Sequence, residues 1–257
     1  MNTFFGLRLC LWVILGGALF EGSLWDGLIC PKLTALVENG DGSRVCVDQF
    51  ECMLVLTDSQ KVWPFNQAVD ALPLGSYYAV PAAGTLPQAY ISADQGSAAC
   101  QAAGKWLCSL EDWMLACQGP NNLTYPYGDR FIEGACNEGR SSNPVVDIYG
   151  PEATFNSTEM NNPQLDLLPD TVATGGNYSQ CRSAASIFDL NGNLDEWVLD
   201  HTSSGHGVFK GGYFVDASIN GNGCYYTTTA HAPSYHDYSL GFRCCSDPLQ
   251  AGPWGHF

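Results

Sequence analysis

Five side chains that carry oxygen stand close together in residues 187–198 of this 257-residue chain: Asp189, Asn191, Asn193, Asp195 and Glu196. Hard oxygen ligands at this density are those that calcium prefers. An EF-hand loop is excluded, because its sixth and twelfth positions would be Leu194 and Asp200 instead of glycine and glutamate. The alternative to a calcium site is that these asparagines and the neighbouring glycine only form turns.

Other combinations of reactive residues give little support to a specific chemistry. His231 and His236, with Asp237 beside them, have the ligand types for a transition metal, but histidines flanked by Pro233 are more typical of a surface loop. The sequence has no Cys-x-x-Cys pair, P-loop, Gly-x-Ser-x-Gly or His-Glu-x-x-His motif. It therefore does not predict a zinc ribbon, a thioredoxin-like centre, a nucleotide site or a common hydrolase site.

The charge and the N-terminus indicate an exported protein. A net charge of −16 argues against nucleic acid or an anionic membrane as the partner. Arg8 followed by an apolar run over residues 9–20 predicts a signal peptide over residues 1–22, with Gly16, Ala18 and Gly22 as candidate cleavage-site residues. Residues 23–257 are then expected to form one domain without a membrane span, secreted or periplasmic.

The cysteine content agrees with export. The chain has twelve cysteines, and removal of Cys10 with the signal peptide leaves eleven. In an oxidising compartment most of them are expected to form disulfides, and an odd number leaves one thiol free or bonded to another chain. Three glycosylation sequons, at Asn122, Asn156 and Asn177, lie in a loop-rich region.

Regular structure is predicted in only part of the sequence. Ser92 and Gln95 form a capping box for a helix that Gly104 ends, and a second helix begins after Ser109 and ends at Gly119. Strands are expected around residues 45–56, 207–215, 224–230 and 240–245. Residues 62–90 and 119–186 are expected to be loops, which metal ions or disulfides would have to order.

Several blocks of the sequence, taken together, resemble one family. They are residues 100–117, Tyr125-Pro-Tyr-Gly-Asp with Cys136-Asn137, Gly192-Asn-x-x-Glu-Trp, Gly211-Gly212 and Gly241-Phe-Arg243. In this order they resemble the formylglycine-generating (sulfatase-modifying factor) family over residues 90–246, and residues 45–51 match its N-terminal strand. The resemblance implies an α+β fold of the C-type-lectin-like kind, disulfide-rich and with little regular secondary structure.

The resemblance also implies disulfides. The family's bridges correspond to Cys100 with Cys244 and Cys117 with Cys224. The remaining pairs are then expected to be Cys108 with Cys245 and Cys136 with Cys181. Cys30, Cys46 and Cys52 stay without an assigned partner.

Two calcium sites follow from the same resemblance. The first would use the side chains of Asp189 and Glu196 with the carbonyls of Gly192 and Leu194. The second would use Asn137 and the carbonyl of Glu138, with further ligands that the sequence does not identify. Carboxylate and carbonyl oxygens are suitable ligands for calcium.

The thiol chemistry of the family has no counterpart in this sequence. Its two copper(I)-binding cysteines correspond to Asp216 and a position near Gly221, and Cys224 matches a structural cysteine instead. A carboxylate does not replace a thiolate for copper(I), so no copper and no catalytic residue is expected. Asp195 and Tyr213 stand where the family has tryptophan and serine, and Thr227 replaces a basic residue.

The sequence therefore predicts an exported, calcium-stabilised binding or structural module that is not an enzyme. Its ligand would be an extracellular protein, peptide or glycan at a cleft beside Asp195, Tyr213, Asp216 and Tyr225. One alternative is an oxidoreductase that converts a substrate cysteine to formylglycine with an atypical thiol arrangement. Another is a calcium-dependent lectin. Related iron-dependent sulfoxide synthases are excluded, because the chain has no His-x-x-x-His-x-Glu pattern.

Overall fold

A computed structural model describes residues 28–250, so the predicted signal peptide lies outside the described residues. The strands are β1 Leu28–Ile29, β2 Thr34–Glu38, β3 Arg44–Asp48, β4 Cys52–Leu56, β5 Tyr77–Pro81, β6 Trp106–Leu107, β7 Asp195–His201, β8 Gly207–Lys210, β9 Thr227–Thr228, β10 Leu240–Phe242, β11 Cys244–Ser246 and β12 Leu249–Gln250. The α-helices are α1 Ala93–Ala102, α2 Leu110–Gln118, α3 Pro144–Tyr149 and α4 Ser157–Met160. Short 3-10 turns cover Gly119–Asn121, Leu165–Leu167 and Gly223–Tyr225.

Two four-stranded sheets form the centre of the molecule. One has the strand order β2-β3-β11-β6, and the other has the order β10-β7-β8-β9. Strand β10 is parallel to β7, whereas β8 is antiparallel to it. Two two-stranded sheets, β4-β5 and β1-β12, complete the strand pairing. None of the helices within residues 28–250 is long and apolar enough to cross a membrane.

The two predicted helices are confirmed, with the predicted caps. Ser92 Oγ accepts the N–H of Gln95 at 3.2 Å, and Gln95 Oε1 accepts the N–H of Ser92 at 3.0 Å. Ser109 Oγ accepts the N–H of Asp112 at 3.1 Å at the start of α2. Gly119, with φ of 59°, caps the C-terminus of α2 as expected for a glycine in the left-handed region.

The strand predictions near the C-terminus are only partly correct. Strand β8 stops at Lys210, because Gly211 and Gly212 have φ values of 92° and 74° that turn the chain out of the sheet. Residues 223–225 form a 3-10 turn, so of the predicted strand over residues 224–230 only the two-residue β9 forms. Within the predicted loop 119–186, two short helices, α3 and α4, begin at the side-chain caps Asn143 and Asn156.

Five disulfides connect these elements. The structure contains the two pairs implied by the resemblance, Cys100–Cys244 and Cys117–Cys224, and the two further expected pairs, Cys108–Cys245 and Cys136–Cys181. A fifth bridge joins Cys30 to Cys46, and Cys52 is the cysteine within residues 28–250 that is left free. Five bridges are typical of proteins that fold outside the reducing cytosol.

The core is built around two buried tryptophans. Trp197 on β7 packs edge-on against Phe209 of β8, with ring centroids 4.8 Å apart, and donates its indole N–H to the carbonyl of Ile91 at 2.9 Å. Trp113 on α2 belongs to a second cluster between this helix, β3 and β8. Both indole N–H groups have acceptors, which is what full burial of a tryptophan requires.

The bridge between α2 and the loop before β9 is expected to contribute strongly to stability. Replacement of both Cys117 and Cys224 by serine should lower the free energy of unfolding by about 2–5 kcal/mol, because the unfolded chain regains the conformational entropy that closing this large loop had removed. Urea-induced unfolding measures the change. The exposed substitution Ser203→Ala is the control, since it leaves all five bridges and the core in place. Equal unfolding midpoints for the double variant and this control would contradict the prediction.

Candidate functional site

The oxygen-rich segment forms a tight, buried loop immediately before β7. Gly192 and Asn193 have φ values of 76° and 63°, in the left-handed region. A Cβ at Gly192 would lie 2.2 Å from the carbonyl oxygen of Asn137, so only glycine fits this close approach. Asn193 donates its N–H to that carbonyl at 2.8 Å, and Gly192 donates to Gly211 at 2.9 Å. The loop thereby joins three sequence blocks that are far apart in the chain.

A buried ion pair lies at the base of this loop. Arg243 donates from Nε to Glu196 Oε2 at 2.6 Å and from Nη2 to Glu196 Oε1. Its remaining donors reach the carbonyls of Asp48 and Phe188 at 2.8 and 2.9 Å, and Trp113 donates its indole N–H to Glu196 at 2.8 Å. The Glu196 carboxylate is therefore surrounded by donors, and a calcium ion at the predicted first site would share it with Arg243.

The other residues of the predicted first calcium site lie around the same loop. Asp189 is 3% exposed, and its Oδ2 accepts the N–H of Gly176 at 2.8 Å. Burial raises the pKa of Asp189 to about 6, although the bond from Gly176 and nearby Arg243 favour the charged form. Leu194 is fully buried in the same loop.

A third buried carboxylate in this region was missed from the sequence. Glu51, which follows β3, accepts the side-chain N–H of Asn193 and the backbone N–H of Leu194, the latter at 3.1 Å. Burial, Asp189 and Glu196 all raise the pKa of Glu51 well above its usual range. The only sequence signal for Glu51 was its position at the end of residues 45–51, the segment that matches the N-terminal strand of the family. With all three carboxyls ionised around one guanidinium, the site would carry excess negative charge, which a divalent cation would balance.

The predicted second calcium site borders a cavity of 380 Å³. Asn137 lines it, and both of this residue's amide N–H groups are used, toward Thr171 O and Asn193 Oδ1, each at 2.9 Å. Asp166, which the sequence did not identify, lines the same cavity at 4% exposure, and neither of its carboxylate oxygens has a hydrogen-bond donor among residues 28–250. Burial and Asp237 raise the pKa of Asp166 well above its usual range. A buried carboxylate and an asparagine amide in the wall of one cavity are ligand types that calcium accepts.

A separate cleft lies beside Asp216. Its cavity of 270 Å³ is lined by Tyr125, Phe131, Glu138, Gly139, Val215, Asp216, Ala217, Ser218 and Asn222. Asp216 Oδ1 accepts the N–H of Ser218 at 3.1 Å and that of Ile219 at 3.2 Å, which fixes the carboxylate at the wall. The aromatic rings and the Glu138 side chain were missed as cleft residues, although the block beginning at Tyr125 was among the matched motifs.

Of the four residues that the sequence assigned to the cleft, one lines this cavity, although Tyr213 donates its backbone N–H to the carbonyl of Asp216 at 2.9 Å. Asp216 lines the cavity, but Asp195 is buried beneath the turn, where its Oδ1 accepts the N–H of Gly212 at 3.1 Å. Tyr213 turns its hydroxyl toward Tyr238, 3.3 Å away, and burial raises the pKa of Tyr213 to about 12. Tyr225 is 51% exposed and is not part of the cavity wall.

The described cysteines offer one thiol, and it is outside this cleft. Cys224 is bonded to Cys117. Cys52 is buried in the core, with its thiol 3.2 Å from Asp48 Oδ2, and burial and Asp48 raise the pKa of Cys52 well above its usual range. Asp48, Cys52 and Cys244 lie close enough to hold a metal. However, the Cys244 sulfur belongs to the bridge with Cys100, so it is not a thiolate ligand.

The two histidines considered as metal ligands do not form a ligand set. The His231 ring stacks on Tyr235 with centroids 3.9 Å apart. His236 contacts Asn161 Oδ1 at 2.7 Å and Asp70 Oδ2 at 3.1 Å. Each ring therefore has its own structural contacts.

The family is established by comparison with known proteins. The model of the sulfatase-modifying factor enzyme 1-like domain matches residues 44–248, which is most of the chain. The chain belongs to this family. No curated protein sequence shows a significant similarity to it.

Several solved structures are similar to this chain at low sequence identity. CarF is 16% identical, with a TM-score of 0.48, over 84% of this chain and 98% of CarF. The Major Tropism Determinant I1 variant is 14% identical, with a TM-score of 0.45, over 88% of this chain and 55% of that one. The Treponema denticola variable protein 1 is 14% identical, with a TM-score of 0.43, over 85% and 93% of the two chains. This chain thus spans about half the length of the Major Tropism Determinant chain. The predicted α+β, C-type-lectin-like fold is confirmed.

The buried ion pair should be sensitive to the loss of one partner. Arg243→Met is expected to destabilise the protein by about 3–5 kcal/mol, because Glu196 would remain buried without its counter-charge. Denaturant-induced unfolding measures this loss. The exposed Arg182→Met is the control, with an expected change within about 0.5 kcal/mol. The combined variant Arg243→Met with Glu196→Leu should recover part of the loss, and Arg243→Met unfolding like the control would contradict the prediction.

Proposed function

We propose that this chain is an exported, calcium-stabilised binding module of the sulfatase-modifying factor family that does not oxidise cysteine. The observation that carries the proposal is the cleft itself. Asp216 lines the cleft and corresponds by sequence resemblance to one of the family's thiol positions, and Cys224, the nearest cysteine in sequence, is bonded to Cys117. Oxidation by the family's chemistry needs a pair of thiolates for copper(I). Cys52 alone cannot supply that pair.

The shape and surface of the cleft support binding. Apolar side chains are exposed beside it: Phe131 is 54% exposed, Ile132 48% and Ile219 80%. Ile219 lies next to Asp216, to which it donates its N–H, and Phe131 is part of the cavity wall. Exposed apolar groups around a polar cavity are typical of interaction sites. The ligand would be an extracellular protein, peptide or glycan.

The buried carboxylates support a structural role for calcium. Asp166, Asp189 and Glu51 are held in the interior, and the pKa of each is raised by burial. One calcium ion would bind near Asp166 and Asn137, and another near Asp189 and Glu196. These ions would balance the negative charge of the buried carboxylates, for which Arg243 is the counter-charge at the second of these places. Both ions would then hold the loops between the sheets in their native conformation.

Export is supported by two observations. The five disulfides are those of a protein that folds in an oxidising compartment. The N-terminal sequence has the charge and the apolar run of a signal peptide.

The absence of cysteine oxidation is tested with a sulfatase-type cysteine peptide. The mature protein is incubated with this peptide, copper(I), oxygen and a thiol reductant, and the peptide mass is measured. The mass should stay unchanged while an active enzyme of the family converts the same peptide. Formation of the formyl product would refute the proposal and would make the chain an oxidoreductase with an atypical thiol arrangement.

Calcium should raise the melting temperature relative to an EDTA-treated sample. A ligand at 100 times its dissociation constant stabilises the native state by about 2.7 kcal/mol. Asp166→Asn and Asp189→Asn should each reduce the calcium-dependent shift without lowering the melting temperature in EDTA, because asparagine removes a buried charge as well as a calcium ligand.

The control for these variants is Asp58→Asn, in which an exposed aspartate in the turn after β4 is changed. It should keep the full calcium shift. Identical melting temperatures of the unmodified protein in calcium and in EDTA would rule out the stabilising role.

A further inference from the structure

Strand β2 lies at the edge of its sheet and exposes a row of backbone groups. The sheet has the order β2-β3-β11-β6, so β2 is paired on one side only. The pairing with β3 is regular over all five residues of β2, without a bulge. Proteins usually block such an edge with proline, lysine or a bulge, and the sequence of β2, Thr-Ala-Leu-Val-Glu, contains neither residue. The opposite edge, β6, is only two residues long.

The alternation along β2 determines which of its backbone groups point outward. The carbonyl of Leu33, just before β2, accepts the N–H of Gln49 on the β3 side at 2.9 Å. The odd-numbered residues of β2 therefore bond to β3, because the backbone groups of successive residues point to opposite sides in the plane of a sheet. The N–H and C=O groups of Leu36 and Glu38 point away from β3, and no other residue within 28–250 forms a backbone hydrogen bond to them.

A cavity of 590 Å³ lies along this outward edge, and we call it the β2 groove. Residues 36–40 line it without a gap, although the side chains of a strand alternate between two faces. It is therefore the edge of the strand, with its backbone, that borders the groove. The opposite wall includes small and apolar residues at the end of α2 and in the loop before β7: Leu115, Ala116, Gly119, Pro120, Ala184 and Ala185.

The two faces of β2 differ, and this difference specifies the side chains of a strand that would fill the groove. Val37 is buried in one cluster with Ala116 of α2, and Ala35 packs against the same cluster. Leu36, on the other face, is 39% exposed. Residues directly opposite each other on paired strands have their side chains on the same face. An added strand would therefore place alternate side chains against α2 and the others beside Leu36, toward solvent.

The charges at the end of β2 favour a basic residue in the added strand. Glu38, Asp41 and Glu111 are exposed carboxylates in this region, and Glu111 accepts the side-chain N–H of Asn39 at 2.5 Å. Arg44, which bonds to Glu38 at 2.6 Å, supplies one positive charge against these three negative ones. An antiparallel strand would begin opposite Glu38. A lysine or arginine at the N-terminal end of that strand would meet the excess negative charge.

We propose that an extended segment of another polypeptide binds in the β2 groove as a fifth, antiparallel strand of this sheet. Its backbone would exchange hydrogen bonds with Leu36 and Glu38, which is the chemistry of β-strand addition. Its side chains would be apolar at the positions that face α2 and basic at the N-terminal end.

A second copy of this chain fits the groove less well, because its own β2 is recessed beside the same wall. The inference goes beyond the proposed function, since no residue lines both the β2 groove and the cleft beside Asp216.

The test uses three peptides that differ by a single methyl group. The first is acetyl-Lys-Val-Thr-Val-Thr-amide, in which the lysine would lie opposite Glu38, the central threonine opposite Leu36 and both valines on the face of α2. In the second peptide the nitrogen of the central threonine is methylated, which removes the donor to the Leu36 carbonyl. In the third peptide the nitrogen of the first valine is methylated, and that N–H would point away from β2.

Titration of each peptide into the mature protein, followed by the NMR shifts of the backbone amides, measures the dissociation constants and locates the binding. The first and third peptides should bind within about threefold of each other and shift the amides of Leu36 and Glu38. The second should bind about tenfold or more weakly, because it leaves the Leu36 carbonyl without a donor. Glutamate in place of the lysine should weaken binding about threefold at low salt.

Two variants of the protein test the same hydrogen bond from the other side. Leu36→Pro removes the outward N–H, whereas Leu36→Thr removes the same side chain and keeps the N–H. Proline is tolerated on an edge strand where its nitrogen faces outward, and equal melting temperatures establish that both variants are folded. Leu36→Pro should bind the first peptide about tenfold more weakly than Leu36→Thr. If Leu36→Pro does not fold, the pair of methylated peptides still decides.

Several results would overturn the inference. Equal binding of the first and second peptides would show that the backbone edge is not used. Shifts confined to the residues of the cleft beside Asp216 would move the binding to that cleft. A dimer that Leu36→Pro dissociates, measured by sedimentation, would make a second copy the occupant. No shift with any peptide at millimolar concentration would refute the strand addition but leave the cysteine-peptide result, and hence the proposed function, unaffected.

Discussion

The buried ion pair between Glu196 and Arg243 is the constraint on which the rest of the structure depends. Arg243 is fully buried, so its donors must all find acceptors, and these come from β7, from the end of β3 and from the carbonyl of Phe188. Trp113 of α2 completes the environment of Glu196. Because desolvating both charges is costly, the pair is tolerated only when this geometry is complete. It therefore fixes a helix, two sheets and the oxygen-rich loop relative to one another.

The loop above this pair carries more negative charge than the arginine balances. Glu51 and Asp189 lie within electrostatic reach of Glu196, and Asp166 lies unpartnered in a nearby cavity. In a fold with short strands and long connections, such charge works against compaction. The five disulfides offset this repulsion, because they reduce the conformational entropy of the unfolded chain. The proposed calcium ions would act on the native state instead, by giving the buried carboxylates a counter-charge.

The proposed loss of cysteine oxidation has its physical origin at one position of the cleft. If position 216 corresponds to a family thiol, as the resemblance implies, a carboxylate there would remove the soft ligand that copper(I) needs and would add negative charge to a cavity that Glu138 also lines. Asp216 is held by backbone N–H groups of Ser218 and Ile219, so the charge keeps its position in the wall.

Local features of this protein followed from its sequence alone. The caps at Ser92 and Ser109 depend on residues within one helical turn, and the order of the motif blocks indicated the family and its fold. The site depends on contacts between distant residues: Glu51 meets Asn193 across 142 positions, and Glu138 meets Asn191 across 53. No local pattern encodes such pairs, which is why Asp166 and Glu51 were missed and Tyr225 was wrongly placed at the cleft wall. The sequence determined which groups are present, and only the tertiary structure decided which of them share a buried, low-dielectric space.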